Sequence, residues 1–386
     1  MNILFCDPLK VRNLGPYSVH IYELLSNLSK LGHNVVAINA DIPKGGVSTV
    51  RGILRQIRIF LSAFTLLVKR GRKFDVIYRR HNLFCSEYFL GKLFRIPSIK
   101  EVNGIIVDDS RITKKRNSLS LRIIDRIEKF SMPKADKIIV VAAKMKEVLH
   151  NDYKIPENKI IVVENGANIE LFKPMDATEA RKELNLSLSD NYICFVGSLI
   201  QWQGIEYLIR AMPHILGKCR NTQLLIVGDG QMKRELIELA EQVGISDRVF
   251  FTGWVPYQKV PLYVNASDVC TAPFVRERNE RDGISPLKLC EYLACEKPVV
   301  TSKLVGLEML ERNDAGILVA PENPQELANA IMKLLHNPEL RKQMGRNGRK
   351  YVVENRSWES VVKRVADICE QTIEEYTGKS KKREKL

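Results

Sequence analysis

Lys288 and Glu291, three residues apart in the run Ser285-Pro-Leu-Lys-Leu-Cys-Glu-Tyr-Leu-Ala-Cys295, are the pair whose types and spacing could do the most specific chemistry in this chain. Ser285 is a good N-cap and Pro286 suits the first helical position, where its missing N–H costs nothing, so a helix is predicted from there to about Cys295. At i and i+3 the ammonium and the carboxylate share one face of that helix. The first turn of a helix presents unpaired N–H groups and a partial positive charge, which suits a phosphate. Lys288 adds a full charge, and Glu291, a turn deeper, can accept hydrogen bonds from paired sugar hydroxyls. Together they would grip a nucleoside diphosphate. The pair fits equally an exposed salt bridge worth roughly 0.3 kcal/mol, and the helix alone leaves both readings open.

The surrounding elements place this helix. A polar loop, Glu277-Arg-Asn-Glu-Arg-Asp-Gly283, is expected before it, and Pro298 with Val299-Val300-Thr301 opens a strand after it. Short Val/Ile-rich strands alternate with helices along the whole chain. They are expected at 2–7, 34–39, 75–78, 97–102, 137–142 and 159–164, and after a polar stretch at 192–196, 223–227, 248–252, 268–273, from 299 and at 315–319. That alternation means parallel sheets covered on both faces. The expected fold class is therefore α/β, with two Rossmann-like doubly wound domains facing across a cleft: residues 1–172, residues 173–355, a C-terminal helix over 356–378 and a basic tail, 379–386, without fixed structure. Ligands in open α/β sheets lie at the carboxyl ends of the strands, where Gly15, Gly197, Gly228 and Gly253 fall. Gly228-Asp-Gly230 lacks the third glycine of a dinucleotide fingerprint and an acidic residue at the end of the next strand, which argues against NAD.

The 386 residues suffice for two cores, and 45% hydrophobic with 27% charged content is that of a soluble globular protein. No apolar run is long enough for a membrane span, and the first residues, Met-Asn-Ile-Leu-Phe-Cys-Asp, contain no signal-like pattern, so a cytoplasmic location is expected, with peripheral attachment to the inner face of the cell membrane. Eight cysteines without a C-x-x-C pair or a histidine cluster read as reduced core residues; neither a metal nor a cofactor is expected. The formal net charge of +15 implies an anionic partner. Nucleic acid ranks last, because the basic residues are not interleaved with aromatic stacking platforms.

Five segments, taken in order, resemble the retaining, two-Rossmann-domain (GT-B) glycosyltransferases of family 4. They are Gly15…His20…Glu23-Leu24…Leu31-Gly-His-Asn-Val35; Lys134-Ala-Asp-Lys-Ile-Ile-Val-Val141; Val162-Val-Glu-Asn-Gly-Ala-Asn-Ile-Glu-Leu-Phe-Lys-Pro174; Leu224-Leu-Ile-Val-Gly-Asp-Gly230 with Arg248-Val-Phe-Phe-Thr-Gly-Trp-Val255; and 283–300. The resemblance covers nearly the whole chain. It implies metal-independent transfer of a sugar from a nucleotide-diphosphate donor, with retention at the anomeric carbon, to a sugar or lipid-linked acceptor. It also implies that the C-terminal domain holds the donor: the base near Gly253 and Val255, the ribose on Glu291, the diphosphate on Lys288 and the loop after Gly197, with the loop at Gly15 closing over the phosphates. Two departures stand out. The family's second glutamate, eight residues before Glu291, is Gly283 here, and its phosphate-binding arginine and lysine are Ser198 and Gln203. These departures favour an alternative from another class, a non-catalytic nucleotide-sugar-binding partner subunit. A sugar-nucleotide epimerase on the same fold is a third reading.

Further candidates follow strands of the first domain. His81, in Tyr78-Arg-Arg-His-Asn82, and Glu101 and Asn103, in Lys100-Glu-Val-Asn-Gly104, are expected at strand ends as catalytic residues, although a lone histidine is more often structural. Trp202 either lines the donor site or packs its loop. Between 50 and 74, Arg51, Arg55, Arg58, Ser62, Thr65 and Lys69 step along one side of a helix whose other side is apolar. Such a helix either packs on the first sheet or lies in an anionic membrane surface, which together with Lys114-Lys115-Arg116 suggests a membrane-proximal acceptor in cell-surface polysaccharide or glycolipid synthesis.

Overall fold

Among the described residues, twelve short strands pair, all in parallel, into two six-stranded sheets. The first contains β1 (Asn2–Cys6), β2 (Asn34–Ile38), β3 (Val76–Arg80), β4 (Ser98–Val102), β5 (Lys137–Val140) and β6 (Ile160–Val162), in the order β2-β1-β3-β4-β5-β6. The second contains β7 (Asn191–Val196), β8 (Thr222–Val227), β9 (Val249–Gly253), β10 (Val269–Ala272), β11 (Val299–Ser302) and β12 (Gly316–Val319), in the order β12-β11-β10-β7-β8-β9. Every expected strand is present. Central strands are covered on both faces, as β8 shows: all six of its residues are buried, which explains why they read as a continuous apolar run and not as an alternation. The structure is a computed structural model, and it describes residues 1–7, 16–38, 49–70, 73–112 and 118–383. Gly15 and Lys114-Lys115-Arg116 therefore lie outside the described residues.

Two compact units result, Asn165–Trp358 and Met1–Glu164 with Glu359–Leu386. The division falls ahead of the expected 172 because Asn165 is already tied into the second unit: its backbone N–H donates to Ser285 Oγ at 2.9 Å and its side-chain amide to the Ser285 carbonyl at 2.6 Å. The C-terminal helix, Trp358–Arg383, is not a separate appendage. It buries Val362 and Cys369 and ion-pairs Glu375 with Lys137 of β5 at 3.1 Å, and it continues into the segment expected as a tail.

In each sheet the strand order reverses once, between β1 and β3 in the first and between β7 and β10 in the second, and the loops at such a switch point diverge to leave room for a ligand. The basic helix Thr49–Arg70 buries Ile59, Ala63 and Leu67 against Leu4, Cys6 and Ile77, so its main apolar side packs on the first sheet. Among the described residues no helix is long and apolar enough to cross a membrane. All eight cysteines are free and buried.

Candidate functional site

In the second unit the helix predicted around Lys288 spans Leu287–Ala294, one residue later than expected. Ser285 is not its cap. Pro286 takes the cap position with extended backbone, and the Ser285 hydroxyl is committed to Asn165 instead. Tyr292 orients the helix, its hydroxyl accepting the Val196 N–H at 2.7 Å at the end of β7. Arg349 donates to the Ala294 carbonyl at the other end, where a cation is favoured.

This orientation carries Lys288 to the carboxyl end of β7, at the switch point. Lys288 and Glu291 are 9% and 6% exposed, so the reading as an exposed salt bridge is excluded. The Lys288 ammonium donates to Gln203 Oε1 at 2.7 Å and lies 3.9 Å from the centroid of the Phe195 ring, a cation–π arrangement. Burial pulls its pKa down to about 7, against the opposing charge of Glu291. Gly197 leaves room for this approach: a Cβ there would stand 2.5 Å from Lys288 Nζ and push the ammonium aside, and the φ of 146° itself favours glycine.

Backbone hydrogen bonds link the three strand-end loops beside Lys288. Leu199 N–H donates to the Asp229 carbonyl at 3.0 Å, Met232 N–H to the Leu199 carbonyl at 3.0 Å, and Gly228 N–H to the Gly253 carbonyl at 3.0 Å. Gly197, Gly228 and Gly253 all have positive φ, and a Cβ on Gly228 would collide with the Gly197 carbonyl at 1.9 Å. Ser198 and Gln203 are half-buried in the first of these loops and Val255 is half-buried just beyond the third. A buried cation beside a glycine-lined strand end can receive a diphosphate, and the carboxylate one turn on can receive hydroxyls.

The stretch before the helix departs from expectation. Arg276–Asp282 is a helix, not a polar loop: Asn279 is buried and donates to the carbonyls of Trp202 at 3.1 Å and Val275 at 2.7 Å, and Arg276 pairs with Glu280 at 3.6 Å. Trp202 is half-buried with the Arg278 guanidinium 5.4 Å from its ring centroid, so it both packs this helix and keeps a partly open face. The helix ends at Gly283, whose φ of 68° and ψ of 169° belong to a region essentially reserved for glycine. A glutamate at this position would be strained in that backbone.

In the first unit Glu101, at the end of β4, is the centre of a buried cluster. Its carboxylate accepts from Tyr78 Oη at 2.6 Å and Asn103 Nδ2 at 2.6 Å and lies 2.7 Å from His20 Nε2. Burial would raise its pKa, but the charge and hydrogen bond of His20, with Arg80 and Tyr78, outweigh burial and hold it at about 2. Glu101 is thus a permanent anion that positions His20 and Asn103. A proton-accepting role at neutral pH does not fit it. His81 follows β3 as expected, but its Nε2 lies 2.7 Å from Glu128 and its Nδ1 is enclosed without a hydrogen-bond partner. Burial lowers its pKa, against the Glu128 hydrogen bond. Glu128 also accepts the N–H groups of Ile106 at 2.8 Å and Val107 at 3.1 Å, so His81 belongs to a structural clamp.

The profile of the family described as Glycosyl transferases group 1 matches residues 176–351, and that of Glycosyltransferase Family 4 matches residues 17–171. In tandem they span most of the chain, from residue 17 to residue 351. The chain is a group 1, family 4 glycosyltransferase. An uncharacterized glycosyltransferase of Methanocaldococcus jannaschii is 28% identical to it, over 94% of this chain and 96% of the relative. Among solved structures, sucrose-phosphate synthase from Thermosynechococcus elongatus superposes with a TM-score of 0.79 at 21% identity, covering 96% of this chain and 98% of that one. HepE of Anabaena, crystallised with UDP-glucose, does so with a TM-score of 0.73 at 17% identity, covering 96% and 100%. These likenesses show the GT-B fold.

Two residues of the glycosyltransferase's candidate site escaped the sequence reading as site residues. His20 stood in a quoted segment, and only the β4 end, far along the chain, reveals its partner. Tyr292 lies one position after Glu291 on the same helix, and its hydroxyl sets the placement of Lys288 through the Val196 N–H.

Proposed function

We propose that this glycosyltransferase moves a sugar from a nucleoside-diphosphate donor, held by the second unit, to a lipid-linked or membrane-proximal acceptor held by the first, with retention and without a metal. The observation that carries the reading is the buried Lys288 ammonium at the β7 end, with Glu291 one turn further along its helix. In such a reaction negative charge builds on the departing diphosphate, and a cation already desolvated beside it stabilises that charge more than one in water. UDP is the favoured nucleotide, because a structural neighbour was crystallised with UDP-glucose. Glu291 would accept the ribose hydroxyls, and the half-buried Val255 segment would face the base.

Acceptor chemistry falls to the cluster at the β3 and β4 ends. With Glu101 acting as the fixed anion, His20 and Asn103 are held at the strand ends, where they would position an acceptor hydroxyl, and an oxygen of the leaving diphosphate serves as the base. The test is incubation of purified protein with a panel of nucleotide sugars and membrane extract. Release of nucleoside diphosphate, with NMR of the product showing the donor's anomeric configuration, supports the reading. Binding without release would point to the non-catalytic subunit, and sugar interconversion without release to an epimerase.

A further inference from the structure

Three helices of the first unit carry apolar side chains that neither sheet uses. On Thr49–Arg70, with Ile59, Ala63 and Leu67 packed inward, Leu54, Ile57, Leu61 and Val68 remain exposed along the outer side. On Ser86–Phe94, Phe89 and Leu93 are 55% and 64% exposed. On Ser118–Ser131, Leu119, Ile123, Ile127 and Phe130 recur at steps of four, four and three, a single outward stripe, and Phe130 is 59% exposed. The three helices adjoin. Phe64 meets Phe94 edge-on at 5.8 Å, and the Lys134 ammonium bridges the other two helices, 5.6 Å from the Tyr88 ring centroid and 4.6 Å from that of Phe130.

Charge on this face has one sign. Arg58, Lys69, Lys92, Arg122 and Arg126 are exposed, while Glu87 and Glu128 of the same helices are fully buried and Asp125 is paired with Lys129 at 2.9 Å. A soluble surface seldom joins so many exposed apolar residues, and exposed cations on the same three helices match anionic headgroups above acyl chains.

We propose that helices 49–70, 86–94 and 118–131 together form a monotopic docking face for an anionic phospholipid bilayer. Phe89, Leu93, Ile127 and Phe130 enter the acyl boundary, and Lys92, Arg122 and Arg126 meet the phosphates. The assignment deepens the reading of a membrane-proximal acceptor and takes its purpose from it. The basic helix 49–70, which packs its main apolar side on the sheet, contributes an edge of this face and not the whole. The inward sides of the same helices hold the strand ends: Glu128 clamps His81, and Glu87 ion-pairs with Lys100 at 3.0 Å. Since a helix with its side chains is about 10 Å across, docking would hold the β3 and β4 ends roughly one helix diameter above the lipid, within reach of a tethered acceptor.

The test is co-sedimentation of the full chain with phosphatidylglycerol/phosphatidylcholine vesicles and with phosphatidylcholine alone. Binding to the anionic vesicles at low salt, weakened by added salt, is expected. Leu93→Ser and Phe130→Ser, both outside the 50–74 segment, should each weaken it about tenfold, and Arg122→Gln and Arg126→Gln about fivefold each. These residues are exposed, so unfolding midpoints should stay unchanged. Equal binding by wild type and variants would overturn the face, as would absence of binding at low salt or a dimer that the same variants dissociate. Thermal stabilisation by UDP-glucose, read on the same samples, reports on the second unit. Stabilisation without vesicle binding sinks the docking face alone, whereas vesicle binding without stabilisation by UDP-glucose or by any other of a panel of nucleotide sugars sinks the donor reading alone.

Discussion

Replacing Lys288 with arginine separates charge from titration at the proposed donor site. Burial lowers Lys288 to about 7, against Glu291, so near neutral pH the ammonium of the free protein is about half charged. A diphosphate beside it restores the charged form, so donor binding takes up a proton. Between pH 7 and pH 9 the charged fraction of the free protein falls from about one half to about one hundredth, and the Kd for a UDP-sugar should rise about fiftyfold over that span. Isothermal titration at several pH values, in buffers of different ionisation enthalpy, reads both the Kd and the proton. Lys288→Arg, charged throughout, should show a flat profile, and Lys288→Met should bind about 10- to 100-fold more weakly at pH 7. The linkage also sets a sign for stability: the folded pKa lies below the unfolded 10.5, so the unfolded chain holds the proton longer and stability grows as pH rises from about 7 toward 10.5. A wild-type Kd constant from pH 7 to 9, or an arginine variant with the wild-type slope, would refute the reasoning.

Other outcomes follow from the same geometry. Glu101, held at about 2 against an ordinary 4.5, contributes stability that is present above the unfolded pKa and lost as pH falls through the folded one. Glu101→Gln should therefore cost about 3 kcal/mol at pH 7, and urea denaturation should show the gap to wild type closing toward pH 2. Gly283→Ala forces a side chain into glycine-only backbone and should cost about 1–3 kcal/mol by thermal unfolding. Glu87→Ala leaves Arg79 and Lys100 buried with their shared carboxylate gone, at a cost of about 3–5 kcal/mol, so expression as folded protein should collapse.

What the sequence disclosed was whatever local pattern decides. Val/Ile runs between helices placed all twelve strands, because a strand buried on both faces has no alternative composition. Lys288 and Glu291 were legible because a helix fixes the relation of i to i+3. What it hid was set by partners distant in the chain. Ser285 has the residue type of a cap, but Asn165, 120 positions earlier, claims its hydroxyl. Arg276–Asp282 has no apolar period and owes its helix to Asn279 bonding the Trp202 carbonyl, 77 positions away. The acidity of Glu101 depends on His20, from the helix Pro16–Lys30 far earlier in the chain, and on Tyr78, from the neighbouring strand.

The central claim is that the Leu287–Ala294 helix holds an activated sugar by its diphosphate and ribose. Calorimetric titration of UDP-glucose and related UDP-sugars into wild type, Lys288→Met and Glu291→Ala tests it most directly. At least one UDP-sugar should bind the wild type, with each variant weakened tenfold or more. Undiminished binding by both variants would contradict the claim, and so would a wild type that binds none of the UDP-sugars.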